Sequence, residues 1–206
     1  MSGESCRLVT FEDSDVVVAA LAAGSVVAVP TDTVYGLAAR PDHPAAVAAV
    51  FDAKHRPPEL ALPVLVADES QLDGVVVAWP PVAHRLAERL WPGGLTVVVT
   101  ARPALARLLG GDGRTIGVRL PDHEELRGLL RRTGPLAVTS ANRHGVPPCT
   151  TAEAVRLAFA DEPVDLVVDG GTCDGAPSTV VDVTVDPPRL VREGALPWTR
   201  ILGACA

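Results

Sequence analysis

Short apolar runs without polar interruption alternate with segments of helical periodicity along most of this sequence. The apolar runs predict strands at residues 26–30, 62–66, 95–100, 115–120, 136–139, 165–168, 179–183 and 189–192. The periodic segments predict helices at about residues 15–23, 44–53, 81–90, 123–132 and 151–159. Strands that are apolar on both faces need helices on both sides of their sheet. Because the last strands are closely spaced and thus suit antiparallel pairing, we predict an α/β fold, a single-domain twisted mixed β-sheet flanked by helices.

Composition narrows the class of protein further. With 206 residues, 48% of them hydrophobic, the chain is long enough for one domain with a substantial core. Its net charge of −7 and aromatic content of 3% argue against a general nucleic-acid-binding surface. Phosphate tracking needs a field of cations, and base stacking needs aromatic rings. A local basic pocket is still compatible with these numbers.

The sequence also bears on location. The longest apolar stretch, residues 16–30, is interrupted at Gly24 and Ser25 and is shorter than the roughly 20 residues that a membrane span needs. The N-terminal segment is acidic, so we expect no signal peptide. The four cysteines form no CxxC pair, which favours reduced thiols. We therefore expect a cytoplasmic protein without membrane contact.

Three rare residues stand out in loop-like segments. Of the 18 basic residues only Lys54 is a lysine, and Asn142 and Tyr35 are the single asparagine and the single tyrosine. A compact ammonium and a donor-plus-acceptor amide do chemistry that arginine, aspartate and serine do not reproduce. These positions are candidates for function, with chance survival as the alternative.

The common catalytic and metal-binding templates are missing. The sequence contains no GxxxxGK[ST], HExxH or GxSxG motif and no metal-ligand spacing, so we predict no resident metal site. Residues 110–113, Gly-Gly-Asp-Gly, predict a turn, and His43, His84 and His123 are most simply surface or capping groups. Function must therefore be sought in other polar clusters.

Two such clusters lie in the first third of the chain. Residues 30–37, PTDTVYGL, follow a predicted buried strand and offer hydroxyls, a carboxylate and a phenol for a small polar ligand such as an amino acid. The alternative is a hydroxyl-capped turn. Lys54 and Arg56, in Lys54-His55-Arg56-Pro57, could flank a polyphosphate. The alternative is a solvated helix end with cations favoured by the dipole.

Two further clusters follow later predicted strands. Ser140 and Asn142, in Thr139-Ser140-Ala141-Asn142, could hydrogen-bond phosphate, ribose or a carboxylate, although a simple turn explains them equally well. The last cluster comprises Arg119, the segment 178–182 (STVVD) and Arg192. Arg119 ends an otherwise apolar strand, where a guanidinium near the core usually needs an anion.

Taken in order, these motifs resemble one family. The succession PTDTVYGL, KxRP, WPGGLT, TIGVRxP, SAN, STVVD and RxG, from about residue 10 to residue 195, is similar to the YrdC family of threonylcarbamoyl-AMP synthases. The resemblance implies a YrdC-like catalytic domain over residues 8–196 and a short C-terminal tail over residues 197–206. It further implies the minimal, single-domain form of the family.

The resemblance also implies substrates and site residues. Family members convert ATP, L-threonine and bicarbonate to threonylcarbamoyl-AMP and pyrophosphate, with Mg²⁺ accompanying ATP, and supply a downstream tRNA threonylcarbamoyl-transferase complex. Lys54 and Arg56 are then the expected catalytic residues. The expected ATP contacts are Lys54, Arg56, Thr115, Ser140, Asn142, Thr150 and Arg192. The expected threonine contacts are Thr33, Arg119, Ser140 and Ser178.

The sequence departs from the family pattern in places. Leu60-Ala61-Leu62 replaces a polar residue and Pro-Leu, Leu65 stands where longer members often place histidine, and His144-Gly145 and Pro148-Cys149-Thr150 replace the usual residues after SAN. Two alternatives stay open at this point. One is a stand-alone carbamoyl-adenylate enzyme, and the other is a non-catalytic RNA-binding or ribosome-maturation factor with weak RNA contact. Residues 143–150, rich in proline and glycine, are the expected lid.

Overall fold

Ten strands of the described chain form one mixed sheet. The computed structural model describes residues 6–143, 145–173 and 175–205, so His144 lies outside the described residues. The strands are β1 (Arg7–Thr10), β2 (Val27–Val29), β3 (Gly36–Ala39), β4 (Val64–Leu65), β5 (Leu95–Thr100), β6 (Thr115–Arg119), β7 (Leu136–Ser140), β8 (Leu166–Asp169), β9 (Thr179–Asp182) and β10 (Arg189–Arg192). Their order in the sheet is β1-β8-β2-β3-β7-β4-β6-β5-β9-β10.

Seven α-helices connect or flank these strands in the described residues. They are α1 (Ser14–Ala22), α2 (Pro44–Lys54), α3 (Pro81–Leu90), α4 (Pro103–Leu108), α5 (Glu124–Thr133), α6 (Ala152–Ala158) and α7 (Trp198–Cys205). Proline at the first position of α2, α3 and α4 suits a helix start, where its missing N–H has no intrahelical partner to lose. None of these helices is both long and apolar enough to cross a bilayer.

Strand pairing confirms the predicted mixed sheet. β8 runs parallel to β1 and β2, and β4–β6 and β5–β9 are also parallel pairs. The antiparallel pairs are β2–β3, β3–β7, β4–β7, β5–β6 and β9–β10. Antiparallel pairing is thus spread through the sheet rather than concentrated at the end of the chain, where spacing had suggested it.

The sheet is covered on both faces, as the uninterrupted apolar runs predict. Along β2, Ala28 packs into one core cluster, whereas Val27 and Val29 pack into the other. Alternate residues of a strand point to opposite faces, so the two clusters lie on opposite sides of the sheet. Residues of α1 and α5 belong to one cluster, and residues of α2, α3, α6 and α7 belong to the other.

Four elements are not predicted by the sequence pattern, namely β1, β3, α4 and α7. β3, Gly-Leu-Ala-Ala, has little intrinsic strand preference, but all four residues are buried between β2 and β7. α7 lies in the segment expected to be a short tail and packs on α3, with Ile201 and Ala204 buried. Tertiary packing decides these elements.

Candidate active site

Nine of the ten predicted site residues line one cavity of 710 Å³. They are Thr33, Lys54, Arg56, Thr115, Arg119, Ser140, Asn142, Ser178 and Arg192. The exception is Thr150, which is exposed and does not line the cavity, and whose carbonyl oxygen accepts a hydrogen bond from the Cys173 amide at 2.8 Å. Its contact with ATP stays a prediction.

Strand register brings these distant segments together. Gly36 of β3 pairs with Ser140 of β7, so the 30–36 segment and the SAN segment lie side by side. Thr179 of β9 pairs with Leu95 of β5, which places Ser178 beside the start of that strand. β6 between them carries Thr115 and Arg119 at its two ends. The site is thus assembled across the middle of the sheet.

Arg119 is held in a buried network of three hydrogen bonds. It is only 6% exposed, and its pKa is lowered because burial penalises the charged form, while Asp32 opposes that effect. Nη2 donates to Asp32 Oδ1 at 2.6 Å, Nη1 to Thr33 Oγ1 at 2.8 Å, and Nε to the Gly93 carbonyl at 2.9 Å. The expectation that this guanidinium needs an anion is confirmed, and the anion is Asp32.

Two threonine hydroxyls lie next to Arg119. Thr31 Oγ1 donates to the Val34 carbonyl at 2.7 Å, so its single proton is not directed at Thr33 Oγ1, which lies 2.9 Å away. Thr33 Oγ1 accepts from Arg119. One acceptor position of Thr33 therefore remains for a ligand donor such as an ammonium or hydroxyl group.

Tyr35 serves the fold with its phenol. Its hydroxyl donates to the Gly171 carbonyl at 2.8 Å and accepts from the Gly170 amide at 3.2 Å. These bonds hold the chain that follows β8 against the 30–36 segment. Burial raises the pKa of this phenol above its ordinary value, so it stays protonated as the donor.

Lys54 reaches from the end of α2 into the SAN segment. Its Nζ atom donates to the Ser140 carbonyl at 2.5 Å, to the Asn142 carbonyl at 2.6 Å and to Asn142 Oδ1 at 3.2 Å. An ammonium has three protons, and all three are used here. Burial, assisted by the positive charge of Arg56 and opposed by Cys149, lowers the Lys54 pKa from 10.5 to about 8.

Asn142 organises the loop that follows β7. Its Oδ1 accepts from Ser140 Oγ at 2.5 Å as well as from Lys54, and its Nδ2 donates to the carbonyls of Arg143 and Val146 at 2.9 and 2.8 Å. A side chain with both donors and an acceptor is needed for this pattern, which neither aspartate nor serine reproduces. The isolated asparagine was therefore an informative signal.

Two arginines present unused donors to the cavity. Arg56 donates from Nε to Leu60 O and from Nη2 to Ala61 O, at 2.9 and 3.0 Å. Arg192 donates from Nε and Nη2 to the Ser178 carbonyl, at 3.3 and 2.8 Å. Within the described part of the chain, Nη1 of each is without a hydrogen bond.

Burial lowers the pKa of both guanidiniums. The positive charge of Arg192 lowers the pKa of Arg56 further, and the positive charge of Arg119 lowers that of Arg192 further. Mutually repelling cations in one cavity of an acidic protein point to an anionic ligand.

Several lining residues were missed by sequence reasoning. Thr96 Oγ1 shares a 2.8 Å hydrogen bond with Ser178 Oγ. The sequence signal for this residue is a hydroxyl side chain inside the apolar run of β5, where Thr96 is buried. Asp112, in the predicted turn at 110–113, accepts from the Thr115 amide at 2.9 Å and from its hydroxyl at 3.1 Å. The turn is confirmed, and it also forms a wall of the cavity. Apolar lining comes from Leu60, Pro63, Val98, Ile116, Val180 and Val191.

Of the three carboxylate side chains that line the cavity, Glu59, Asp112 and Asp182, the last two accept hydrogen bonds from the protein. Asp182 Oδ1 accepts from the Thr184 amide and hydroxyl, and its Oδ2 accepts from Arg189. Residues 6–143, 145–173 and 175–205 contain no group of three or more His, Cys, Asp or Glu side chains placed to hold a metal ion. The donors that line the site are therefore cationic groups and hydroxyls.

These features define an α/β small-molecule-binding domain with one cationic, hydroxyl-lined cavity. The profile of the family described as "Telomere recombination" (Sua5_yciO_yrdC) matches residues 19–194, and the chain belongs to this family. The threonylcarbamoyl-AMP synthase of Bacillus subtilis is 40% identical over 181 residues, which are 86% of this chain and 52% of that protein. That of Chromohalobacter salexigens is 39% identical over 169 residues, 81% of this chain and 90% of that protein.

A solved structure agrees with the predicted YrdC-like fold. The crystal structure of Pyrococcus abyssi Sua5 complexed with L-threonine superposes with a TM-score of 0.89 at 34% sequence identity. The match covers 97% of this chain and 60% of that protein. This chain thus corresponds to a part of Sua5 and to nearly all of the Chromohalobacter relative.

Proposed function

We propose that this chain is an L-threonylcarbamoyladenylate synthase, which converts L-threonine, bicarbonate and ATP to threonylcarbamoyl-AMP, pyrophosphate and water. The observation that carries the proposal is the convergence of Arg56, Arg119 and Arg192 with the hydroxyls of Thr33 and Ser178 on one cavity. The names of the relatives and the threonine complex of Sua5 support the same substrates.

The amino acid is assigned to the Arg119 side of the cavity. Each Nη atom of Arg119 has a second proton beyond its bond to Thr33 or Asp32, and a ligand carboxylate is its natural acceptor. Thr33 retains an acceptor position for an ammonium or hydroxyl group. The hydroxyl pair of Thr96 and Ser178 adds a polar wall there. This donor and acceptor set suits a small hydroxylated amino acid.

ATP is assigned to the side formed by Arg56, Thr115, Asn142 and Arg192. The unused guanidinium edges of Arg56 and Arg192 suit phosphate oxygens, which arginine binds in a bidentate manner. Lys54, fixed on the SAN segment, contributes its charge beside them. The apolar wall that includes Pro63 and Val180 offers a face for the base.

The reaction asks little covalent work of the protein. The threonine nitrogen forms a bond to the carbon of bicarbonate with loss of water, and an oxygen of the resulting carbamate attacks the α-phosphorus of ATP. The bond from that phosphorus to the bridging oxygen of pyrophosphate breaks, and pyrophosphate leaves. Positioning and neutralisation of charge dominate in transfers at phosphorus. A cavity of cations and hydroxyls without a nucleophile is suited to this task.

Mg²⁺ belongs to this proposal as a component of the substrate, the magnesium complex of ATP. Magnesium commonly binds through substrate phosphates with few protein ligands, because it keeps several of its waters. The engaged state of Asp182 and the lack of a metal-ligand cluster in the described residues suit a metal that arrives with ATP. Chelation by EDTA is expected to stop turnover, and excess Mg²⁺ to restore it.

We further infer that the product passes to a tRNA threonylcarbamoyl-transferase complex in the cytoplasm. The product is a mixed anhydride of a carbamate and a phosphate, and its consumer must transfer the carbamoyl group to a nucleophile. A weak, salt-sensitive attraction of RNA to the cationic cavity is compatible with this role.

The decisive test is pyrophosphate release from ATP, Mg²⁺ and bicarbonate, with L-threonine, with L-serine and without amino acid. Strict dependence on threonine and bicarbonate is expected. Release without threonine would indicate a carbamoyl-adenylate enzyme or simple ATP hydrolysis. Absence of release, with RNA bound at physiological salt, would favour the non-catalytic alternative.

A further inference from the structure

Glu162 touches both loops that carry the ATP side of the cavity, and it lies outside the cavity lining. Its Oε1 accepts from Arg143 Nη2 at 3.0 Å and lies 3.5 Å from His55 Nε2. His55 stands between Lys54 and Arg56, and Arg143 directly follows Asn142. One carboxylate oxygen thus contacts both the 54–57 segment and the 140–143 segment from outside the cavity.

The backbone of Glu162 is fixed. Its amide donates to the Phe159 carbonyl at 3.1 Å, and its carbonyl accepts from the Val164 amide at 2.7 Å, in the turn between α6 and β8. Phe159 is fully buried in the core. The Glu162 side chain itself is 14% exposed, against 66% for His55 and 48% for Arg143. A rigid, largely buried carboxylate therefore anchors two more exposed loop residues.

The same two loops are joined a second time from inside the cavity. The ammonium of Lys54 binds the carbonyls of Ser140 and Asn142. His55 adopts a left-handed backbone conformation, with φ of 49°, which is unfavourable for a non-glycine residue. His55 is exposed on the outside while its neighbour Lys54 is buried. The two loops are therefore joined by Glu162 outside the cavity and by Lys54 inside it.

We propose that Glu162 is a positioning residue that sets the spacing between the loops at 54–57 and 140–143, so that Arg56 and Asn142 engage ATP together. This assignment rests on the proposed function. The partners of Glu162 are largely solvent-exposed, and ion pairs to such groups add little to global stability, so the effect is expected in nucleotide affinity rather than in folding. The side-chain partners of Glu162, Arg143 and His55, both belong to the two ATP-side loops, so its replacement is expected to leave threonine binding nearly unchanged.

The test uses the full chain and measures the Kd for α,β-methylene-ATP, whose α–β bond is not cleaved, and separately the Kd for L-threonine. Glu162→Ala is expected to raise the nucleotide Kd about fivefold, a typical coupling for contacting residues, and to leave the threonine Kd within twofold. Glu162→Gln keeps an acceptor for Arg143 and should recover part of the loss. The matched control is Glu153→Gln on α6, whose carboxylate pairs at 2.9 Å with Arg156 of the same helix.

Two measurements separate the possible failures. Combining Glu162→Ala with Arg143→Ala should weaken nucleotide binding by less than the product of the two single effects. Equal nucleotide affinity of wild type and Glu162→Ala, or equal weakening of nucleotide and threonine, would overturn the positioning role alone. Failure of the wild-type chain to bind the nucleotide would overturn the proposed function and this assignment together.

Discussion

Lys54 Nζ lies 2.6 Å from the carbonyl oxygen of Asn142 and 3.2 Å from its Oδ1, although the two residues are 88 positions apart in the chain. With the bond to the Ser140 carbonyl, this contact uses every proton of the ammonium. Lys54 therefore shapes the segment that we propose to face ATP, in addition to supplying charge. Its role in the site combines position and electrostatics.

Lys54→Met is expected to damage both activity and stability. The substitution removes one hydrogen-bond donor from each of three oxygens, which should lower the free energy of unfolding by about 2 kcal/mol. Loss of a preorganised cation near the transferring phosphorus should reduce the kcat for pyrophosphate release about 100-fold. The Kd for L-threonine should change by less than about threefold, since Arg119 is untouched. An unchanged kcat in steady-state assays would refute the role given to Lys54.

The lowered pKa of Lys54 predicts a pH dependence. Above about pH 8 the folded protein loses this proton, and a neutral amine has only two hydrogens for three oxygens and no charge for phosphate. The affinity for α,β-methylene-ATP should fall between pH 7 and pH 9. The arginines of the cavity stay charged over this range, so they provide no competing titration. Isothermal titration at pH 7, 8 and 9 measures the effect, and a constant Kd would contradict it.

The same pKa has a consequence for stability with a definite sign. Between about pH 8 and the ordinary lysine value of 10.5, the unfolded chain binds the Lys54 proton more tightly than the folded chain. The free energy of unfolding then rises with pH as far as Lys54 is concerned. Comparing urea midpoints of wild type and Lys54→Met at pH 7.5 and pH 9.5 isolates this contribution. The difference in urea midpoint between wild type and Lys54→Met should be larger at pH 9.5 than at pH 7.5.

Asp32→Asn tests the buried partner of Arg119. The two side chains are 15% and 7% exposed, and removing one charge leaves the other buried without a counterion. We expect a loss of about 3 kcal/mol in the free energy of unfolding and at least about tenfold weaker L-threonine binding. Asp42→Asn is a matched control, because its bond to Arg40 has the same 2.6 Å length but lies at the surface. Equal losses in urea denaturation of the two variants would disprove the argument.

Gly194→Ala tests the close approach that holds Ser178 in place. An added Cβ would lie 2.0 Å from the Pro177 carbonyl oxygen and 2.7 Å from that of Ser178, so backbone must move. Because Arg192 donates to the Ser178 carbonyl, both substrate affinities should fall by about tenfold. Gly203→Ala on α7 has nothing within 4 Å of the new Cβ and should keep full activity, with slightly higher stability. Retained affinity in Gly194→Ala, measured by titration calorimetry, would show that the loop yields freely.

Much of the architecture follows from local pattern. Uninterrupted apolar runs predicted β5, β6 and β7 close to their observed bounds, and proline followed by periodic apolar residues predicted α2 and α3. Period-two and period-3.6 patterns report burial directly, so these elements are accessible to sequence reasoning. β3 and α7 are not, because their formation depends on the strands and on the helix against which they pack.

The residues of the site also divide into those that the sequence predicts and those that it does not. Polar segments after predicted strands identified Thr33, Ser140 and Asn142 as candidates. The end of a predicted helix identified Lys54, and the end of an apolar strand identified Arg119. The sequence alone thus determined an α/β sheet covered on both faces and the segments that would carry its chemistry.

Only the tertiary structure decided which groups are partners. Arg119 meets Asp32 across 87 positions, Lys54 meets Asn142 across 88, and Glu162 meets Arg143 across 19. Hydrogen bonds and ion pairs act over a few ångströms and carry no trace in local periodicity. They become fixed when the packing of strands and helices brings distant segments together, and that step belongs to the whole fold.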